Sequence, residues 1–165
     1  MAVITLQYQD SSIPQNGFGY LVPSCEESDV LGITFDSLIF PQNAPDNSSI
    51  VTVMAGGPRF HELFGEEKNN EAVVAKATDI AARSVRETLN FEKEPSRHVT
   101  KIQKECIPQY HVGHYKLAEN IQSYLLAQNL PLTIVGNMWG GVGVNDVIVN
   151  ARNSTLTWLT SNHLC

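Results

Sequence analysis

The residues best placed to do chemistry lie near the end of the chain, in Leu132-Thr-Ile-Val-Gly-Asn-Met-Trp-Gly-Gly-Val-Gly-Val-Asn-Asp-Val-Ile. Glycines 136, 140, 141 and 143 stand between an apolar run and the start of a helical pattern. They let the backbone approach a ligand with no Cβ in the way. The first amides of the helix that follows are unpaired donors at the positive end of its dipole. Phosphate is the usual guest at such a place. The spacing fits neither G-x-G-x-x-G nor the P-loop, however, and no lysine follows. Asp146 falls in the first helical turn, where its carboxylate would repel a phosphate. A neutral or partly anionic acceptor, such as the pyrimidine edge of a reduced flavin, is a better guest. The same glycines would also serve a tight strand-to-helix turn capped with the help of Asp146, and spacing alone leaves both readings open.

Other constellations are weaker. His111 and His114 with Cys106 upstream form too small a set for a metal, because no fourth ligand has suitable spacing. Ile107-Pro-Gln-Tyr-His-Val-Gly-His reads instead as a shaped loop with His114 near a helix start. The pairs Glu26-Glu27 and Glu66-Glu67 lie in polar turns and read as solvated charge. Ser24 and Ser37 lack the G-x-S-x-G context of a hydrolase nucleophile.

The elements that must position the loop follow from periodicity. Alternation with period two marks a half-buried strand over residues 2–8, and further strands are expected over 17–22, 30–35 and 50–54. Their spacing predicts an antiparallel meander, with a turn-rich loop from Phe40 to Ser49. Beyond Glu66 the period changes. Val74, Ala77, Ala81, Val85 and Leu89, with Ile80 at the edge, make one stripe of an amphipathic helix over about 69–90, capped by Asn69 or Asn70. An extended strand over 97–107 and a helix over about 114–128 follow, the latter burying Leu117, Ile121, Tyr124 and Leu125. A buried strand is expected over 132–135, and a last helix over about 144–159 with Val144, Val147, Ile148, Ala151, Thr155 and Trp158 on one stripe. The fold class is α+β.

The composition bounds the function. The chain has 165 residues, 42% of them hydrophobic and 17% charged, which is enough apolar material for a core. Eleven basic against seventeen acidic residues leave a net charge of −6, the wrong sign for counterion release from nucleic acid. Nucleic acid is therefore disfavoured as a partner. Cys25, Cys106 and Cys165 are odd in number and widely spaced, which speaks against a disulfide scaffold. No apolar run approaches the length of a membrane-spanning helix, and the first residues read as strand rather than as a secretory or transit signal.

Six blocks in order resemble the protoporphyrinogen oxidase family, FAD-dependent enzymes of the flavin amine oxidase superfamily. They are Gly17-Phe-Gly-Tyr-Leu-Val-Pro, Leu31-Gly-Ile-Thr-Phe-Asp-Ser with Phe40-Pro, Val51-Thr-Val-Met-Ala-Gly-Gly, Ile107-Pro-Gln-Tyr-His-Val-Gly-His, Gly136-Asn and Gly141-Val-Gly-Val-Asn-Asp-Val-Ile. The match is to the C-terminal third to half of such an enzyme. The family's N-terminal dinucleotide fingerprint is not found here, so the expectation is a fragment or a truncated gene product. The resemblance implies a partial substrate-binding domain over 1–106 and the C-terminal portion of an FAD-binding domain over 107–165. It implies that Val142, Gly143 and Val144 contact FAD, and that Leu21, Thr34 and Met54 line a tetrapyrrole pocket with Phe18 at its rim. Thr34 departs from the aliphatic residue usual there.

The implied reaction is oxidation of protoporphyrinogen IX to protoporphyrin IX with dioxygen as acceptor, and no acid or base in the chain stands out as a catalyst. The resemblance further implies peripheral association with the mitochondrial inner membrane, or a chloroplast location, through parts outside these residues, and it allows a homodimer. Two rival expectations are another flavin amine oxidase superfamily enzyme and a non-catalytic remnant or interaction module.

Overall fold

The structure, a computed structural model, describes residues 1–65 and 70–161. The cap expected of Asn69 or of the Asn70 side chain, the Glu66–Glu67 pair and Cys165 lie outside the described residues. The chain divides into two compact units, Met1–Lys104 and Glu105–Cys165.

The first unit is a five-stranded sheet. Its strands are β1 (Ala2–Gln9), β2 (Gly19–Leu21), β3 (Val30–Thr34), β4 (Ser48–Ala55) and β5 (Arg97–Ile102). The spatial order is β2-β3-β4-β1-β5, and every neighbouring pair is antiparallel. Three strands thus form the expected meander, while β1 inserts between β4 and β5. Two short helices, α1 (Asp36–Ile39) and α2 (Phe60–Phe64), occupy segments to which the sequence assigned no element. Neither is long enough to show a hydrophobic period.

Alternation decides which face is buried. Ala2, Ile4, Leu6 and Tyr8 on β1 and Val51, Val53 and Ala55 on β4 point to one side and are almost wholly excluded from solvent. Helix α3 (Asn70–Leu89) covers that side with Val73, Ala77, Ile80, Ala81, Val85 and Leu89. The stripe begins at Val73 rather than Val74, while Ala77, Ala81, Val85 and Leu89 lie on the expected face. Asn90, at φ 55°, takes the left-handed conformation that ends a helix. Each fully buried Ile, Leu or Val here contributes about 1.5–3 kcal/mol by leaving water. Tyr8 meets Phe91 edge-to-face at 4.8 Å. Burial pushes the Tyr8 phenol up to about 12, with Glu94 adding to the shift and Arg86 opposing it.

The second unit contains α4 (His114–Ala127) and α5 (Val144–Ser161), joined by the Gly-rich segment. No residue of either helix is fully buried. Ile121 and Leu125 are half-buried, but Leu117 and Tyr124 are exposed, contrary to their expected burial, and Val144, Ile148 and Trp158 on the α5 stripe are exposed as well. Residues 132–135 form no strand, and Leu132, Ile134 and Val135 are exposed. The reason is physical. A strand exists only by hydrogen bonding to a neighbour, and this unit offers none among the described residues. The strand expected over 97–107 ends at Ile102, where its pairing partner β1 runs out at Ala2.

Candidate functional site

One sheet face of the first unit is not covered by α3, with only the short α1 against β4, and the register fixes which side chains lie there. Leu21 pairs with Gly32, Gly32 with Met54, Met54 with Val3, and Val3 with Lys101. Directly opposed residues share a face, so Leu21 and Met54 stand in one cross-strand row with Gly32 between them. A Cβ at Gly32 would meet the Tyr20 carbonyl oxygen at 2.4 Å and Leu21 Cδ2 at 3.0 Å, so the space over Gly32 is already filled by the β2 backbone and the Leu21 side chain, and only glycine fits between them. Thr34 lies in the next row, paired with Gly19 on one side and Thr52 on the other. Three expected pocket residues thus share this face. Leu21 is 79% exposed, a large apolar side chain held out to solvent. Phe18, 69% exposed, precedes β2, and its carbonyl accepts from the Phe35 amide at 2.9 Å.

The face is not uniformly aliphatic. Thr34 Oγ1 donates to Asp36 Oδ1 at 2.8 Å, Thr52 Oγ1 donates to Asp36 Oδ2, and the Thr5 and Thr52 hydroxyls share a 2.9 Å bond. A polar string therefore crosses between the aliphatic groups. It accounts for the unexpected Thr34, whose hydroxyl has a carboxylate partner. Asp36 carried no role in the sequence reading. Its pairing with two residues two and sixteen positions away exists only once β3 and β4 are in register.

In the second unit the Gly-rich segment curls into the start of α5. The Gly143 carbonyl accepts from the Val147 amide at 3.0 Å, which makes Gly143 the first residue to receive a helical bond. Among the described residues, no hydrogen bond engages the amides of Val142, Gly143 or Val144, and all three residues are exposed. Asp146 folds back over the loop. A Cβ at Gly141 would lie 2.6 Å from both Asp146 Cβ and Oδ2, and one at Gly143 would lie 2.9 Å from Oδ2. Gly141 also has φ +148°, so glycine is required there twice over.

The block around Tyr110, a shaped loop by its sequence and one of the six blocks of the resemblance, holds this segment. Tyr110 Oη donates to the Asn137 carbonyl at 2.6 Å and accepts from the Gly141 amide at 3.3 Å. His114 Nε2 is 2.8 Å from the Met138 carbonyl, and Asn150 Nδ2 donates to the Trp139 carbonyl at 3.0 Å. Asn150 shows no motif in the sequence; its role exists only through the fold. Beside the loop, a groove of about 900 Å³ is lined by residues including Leu126, Leu130, Leu132, Ile134, Trp139 and Trp158. Among the described residues no group of three or more His, Cys, Asp or Glu converges as a metal site. No helix among them is long and apolar enough to cross a membrane.

Residues 1–154 match the family of flavin containing amine oxidoreductases, and the chain belongs to that family. Its relatives include the protoporphyrinogen oxidase of Homo sapiens, 38% identical over 96% of this chain and 33% of that protein. The mitochondrial protoporphyrinogen oxidase of Nicotiana tabacum is 28% identical over 98% of this chain and 32% of that protein. A crystal structure from Exiguobacterium sp. 255-15, provisionally described as a protoporphyrinogen oxidase, superposes with a TM-score of 0.71. It is 20% identical and covers 96% of this chain and 34% of that one, which establishes the α+β fold. The chain spans about a third of the length of the curated relatives it matches.

Proposed function

We propose that this chain supplies the substrate-binding sheet and the C-terminal cofactor loop of an FAD-dependent protoporphyrinogen oxidase, acting in porphyrin biosynthesis. The supporting observation is the one sheet face shared by Leu21, Thr34 and Met54, which the register brings into adjacent rows. The tetrapyrrole lies against that face, with Phe18 at its rim. Aliphatic and thioether groups suit a flat apolar ring, and the string through Asp36 offers acceptors to its pyrrole N–H groups.

The residues of the second unit fit a flavin. Three free amides, of Val142, Gly143 and Val144, stand at the positive end of α5 and match a carbonyl-rich pyrimidine edge. Asp146 over the loop disfavours phosphate in the same place. FAD, when bound, supplies the hydride acceptor and passes electrons on to dioxygen. The chain's own residues orient the macrocycle, present donors to the cofactor and exclude water; none acts as a proton-transfer catalyst. The mitochondrial name of the tobacco relative supports a mitochondrial location; peripheral contact with the inner membrane through parts outside these residues, a homodimer, and a chloroplast location remain readings of the family resemblance alone. A second reading, a non-catalytic interaction module, draws on one observation: the second unit buries no residue of either helix.

The test is a hybrid in which this chain replaces the matching third of the human relative. Met54→Glu should abolish porphyrinogen oxidation while FAD remains bound, because a carboxylate would face an apolar ring. Equal loss of flavin and activity rejects the pocket assignment. A hybrid that binds FAD but oxidises no porphyrinogen favours the interaction module.

A further inference from the structure

We propose that Tyr110 and His114 are positioning residues for the cofactor: together they fix the Gly-rich loop so that the amides of Val142, Gly143 and Val144 remain directed at the flavin. The inference rests on the flavin reading and deepens it. Three consecutive carbonyls, of Asn137, Met138 and Trp139, are each taken by a side chain, from Tyr110, His114 and Asn150 in turn. The Tyr110 hydroxyl closes the arrangement by accepting from the Gly141 amide at 3.3 Å. Because a carbonyl only accepts, His114 Nε2 carries the hydrogen of its bond. The two rings stack at 4.1 Å and 14°, so each holds the other in place.

The loop needs this restraint. Gly136, Gly140 and Gly141 have φ of +137°, +102° and +148°, and glycines in such conformations interconvert freely unless held. A simple strand-to-helix turn requires no fixing of three successive carbonyls. With those carbonyls held by Tyr110, His114 and Asn150, and the Gly141 amide held by Tyr110, the amides of Val142, Gly143 and Val144 follow a fixed segment and have no protein partner among the described residues. Donors held in place before the ligand arrives cost no ordering when it binds. They also favour the reduced cofactor, which carries more negative charge at its pyrimidine edge.

Tyr110→Phe keeps the ring and its stack and removes only the hydroxyl. In this chain, exchange of the Gly141 amide should accelerate about ten-fold, as expected for a lost bond of ordinary strength, while the β1 and β4 amides are unchanged. In the hybrid with the human relative, the FAD dissociation constant should rise about ten-fold. The flavin midpoint potential should fall by about 30 mV, the equivalent of a ten-fold weaker preference for the reduced form in a two-electron couple. His114→Gln, which keeps a donor for the Met138 carbonyl, should retain FAD better than His114→Ala. Faster Gly141 exchange with FAD affinity and potential unaltered would overturn the positioning role while leaving the flavin reading intact. Unaltered Gly141 exchange would overturn the clamp itself. An unsubstituted hybrid that holds no FAD would instead remove the reading on which the proposal stands.

Discussion

Single residues carry two distinct kinds of claim in this protein, one about shape and one about charge. Gly143→Val places a branched side chain at the mouth of α5, where even a Cβ would come within 2.9 Å of Asp146 Oδ2. The expected outcome in the hybrid is loss of bound FAD, read from flavin absorbance, with the unfolding midpoint of the first unit unchanged. Leu21→Ser should behave in the opposite sense. Its side chain is 79% exposed, so stability should move by less than about 0.5 kcal/mol. The KM of the hybrid for porphyrinogen should nevertheless rise, because the lost methyl groups belong to the face proposed to hold the ring.

Tyr8 tests charge. Its phenol stays neutral up to about 12 in the folded chain, chiefly because burial disfavours the anion. In the unfolded chain it ionises near 10. Between those values the unfolded state binds fewer protons than the folded one, so stability falls as pH rises from about 10 through about 12. Below 10 this contribution is fully present. The loss amounts to roughly 2–3 kcal/mol for this group. Denaturant unfolding of the natural chain and of Tyr8→Phe at pH 9 and pH 11.5 should show the natural chain losing more stability; parallel losses would refute the shift.

At the scale of elements, the sequence was most legible where periodicity and tertiary packing agree. Residues 2–8, 30–34 and 50–54 lie within strands, and the stripe from Ala77 to Leu89 lies against the sheet, because one buried face enforces the alternation that was read. The Gly loop and the start of α5 were legible for a different reason, since glycines with φ above +100° and a helix start leave local signatures. Legibility failed where a partner decides the outcome. Residues 132–135 have the composition of a buried strand and lack the neighbour that would make them one. Val144, Ile148 and Trp158 follow a helical stripe that no other described surface buries. The clamp by Tyr110, His114 and Asn150 was hidden because it joins positions 11 to 31 residues apart. Core truncation separates the two kinds of element. Leu89→Ala, which empties a site only 2% exposed, should cost about 2–5 kcal/mol in the first unit. Truncating Leu117, 56% exposed, should cost far less.

For the molecule as a whole, stability is unevenly divided. Every fully buried apolar residue described lies between Ala2 and Phe91, inside the first unit. A peptide of residues 1–104 should therefore unfold in one cooperative thermal transition, and a peptide of residues 105–165 should show none. A cooperative transition in the shorter peptide would mean that the second unit has a core of its own. The same division separates the proposed roles. The rigid sheet offers a surface for a macrocycle, and the second unit offers directed amides on a clamped loop. The curated relatives named protoporphyrinogen oxidase are about three times this length, so the proposed activity is tested in the hybrid.

The most direct test of the central claim is residue-resolved amide exchange in the hybrid, with and without FAD. The amides of Val142, Gly143 and Val144 should slow by at least about ten-fold when FAD binds, as free donors acquire acceptors, while those of residues 97–102 do not change. Exchange at Val142–Val144 that is indifferent to bound FAD would contradict the central claim.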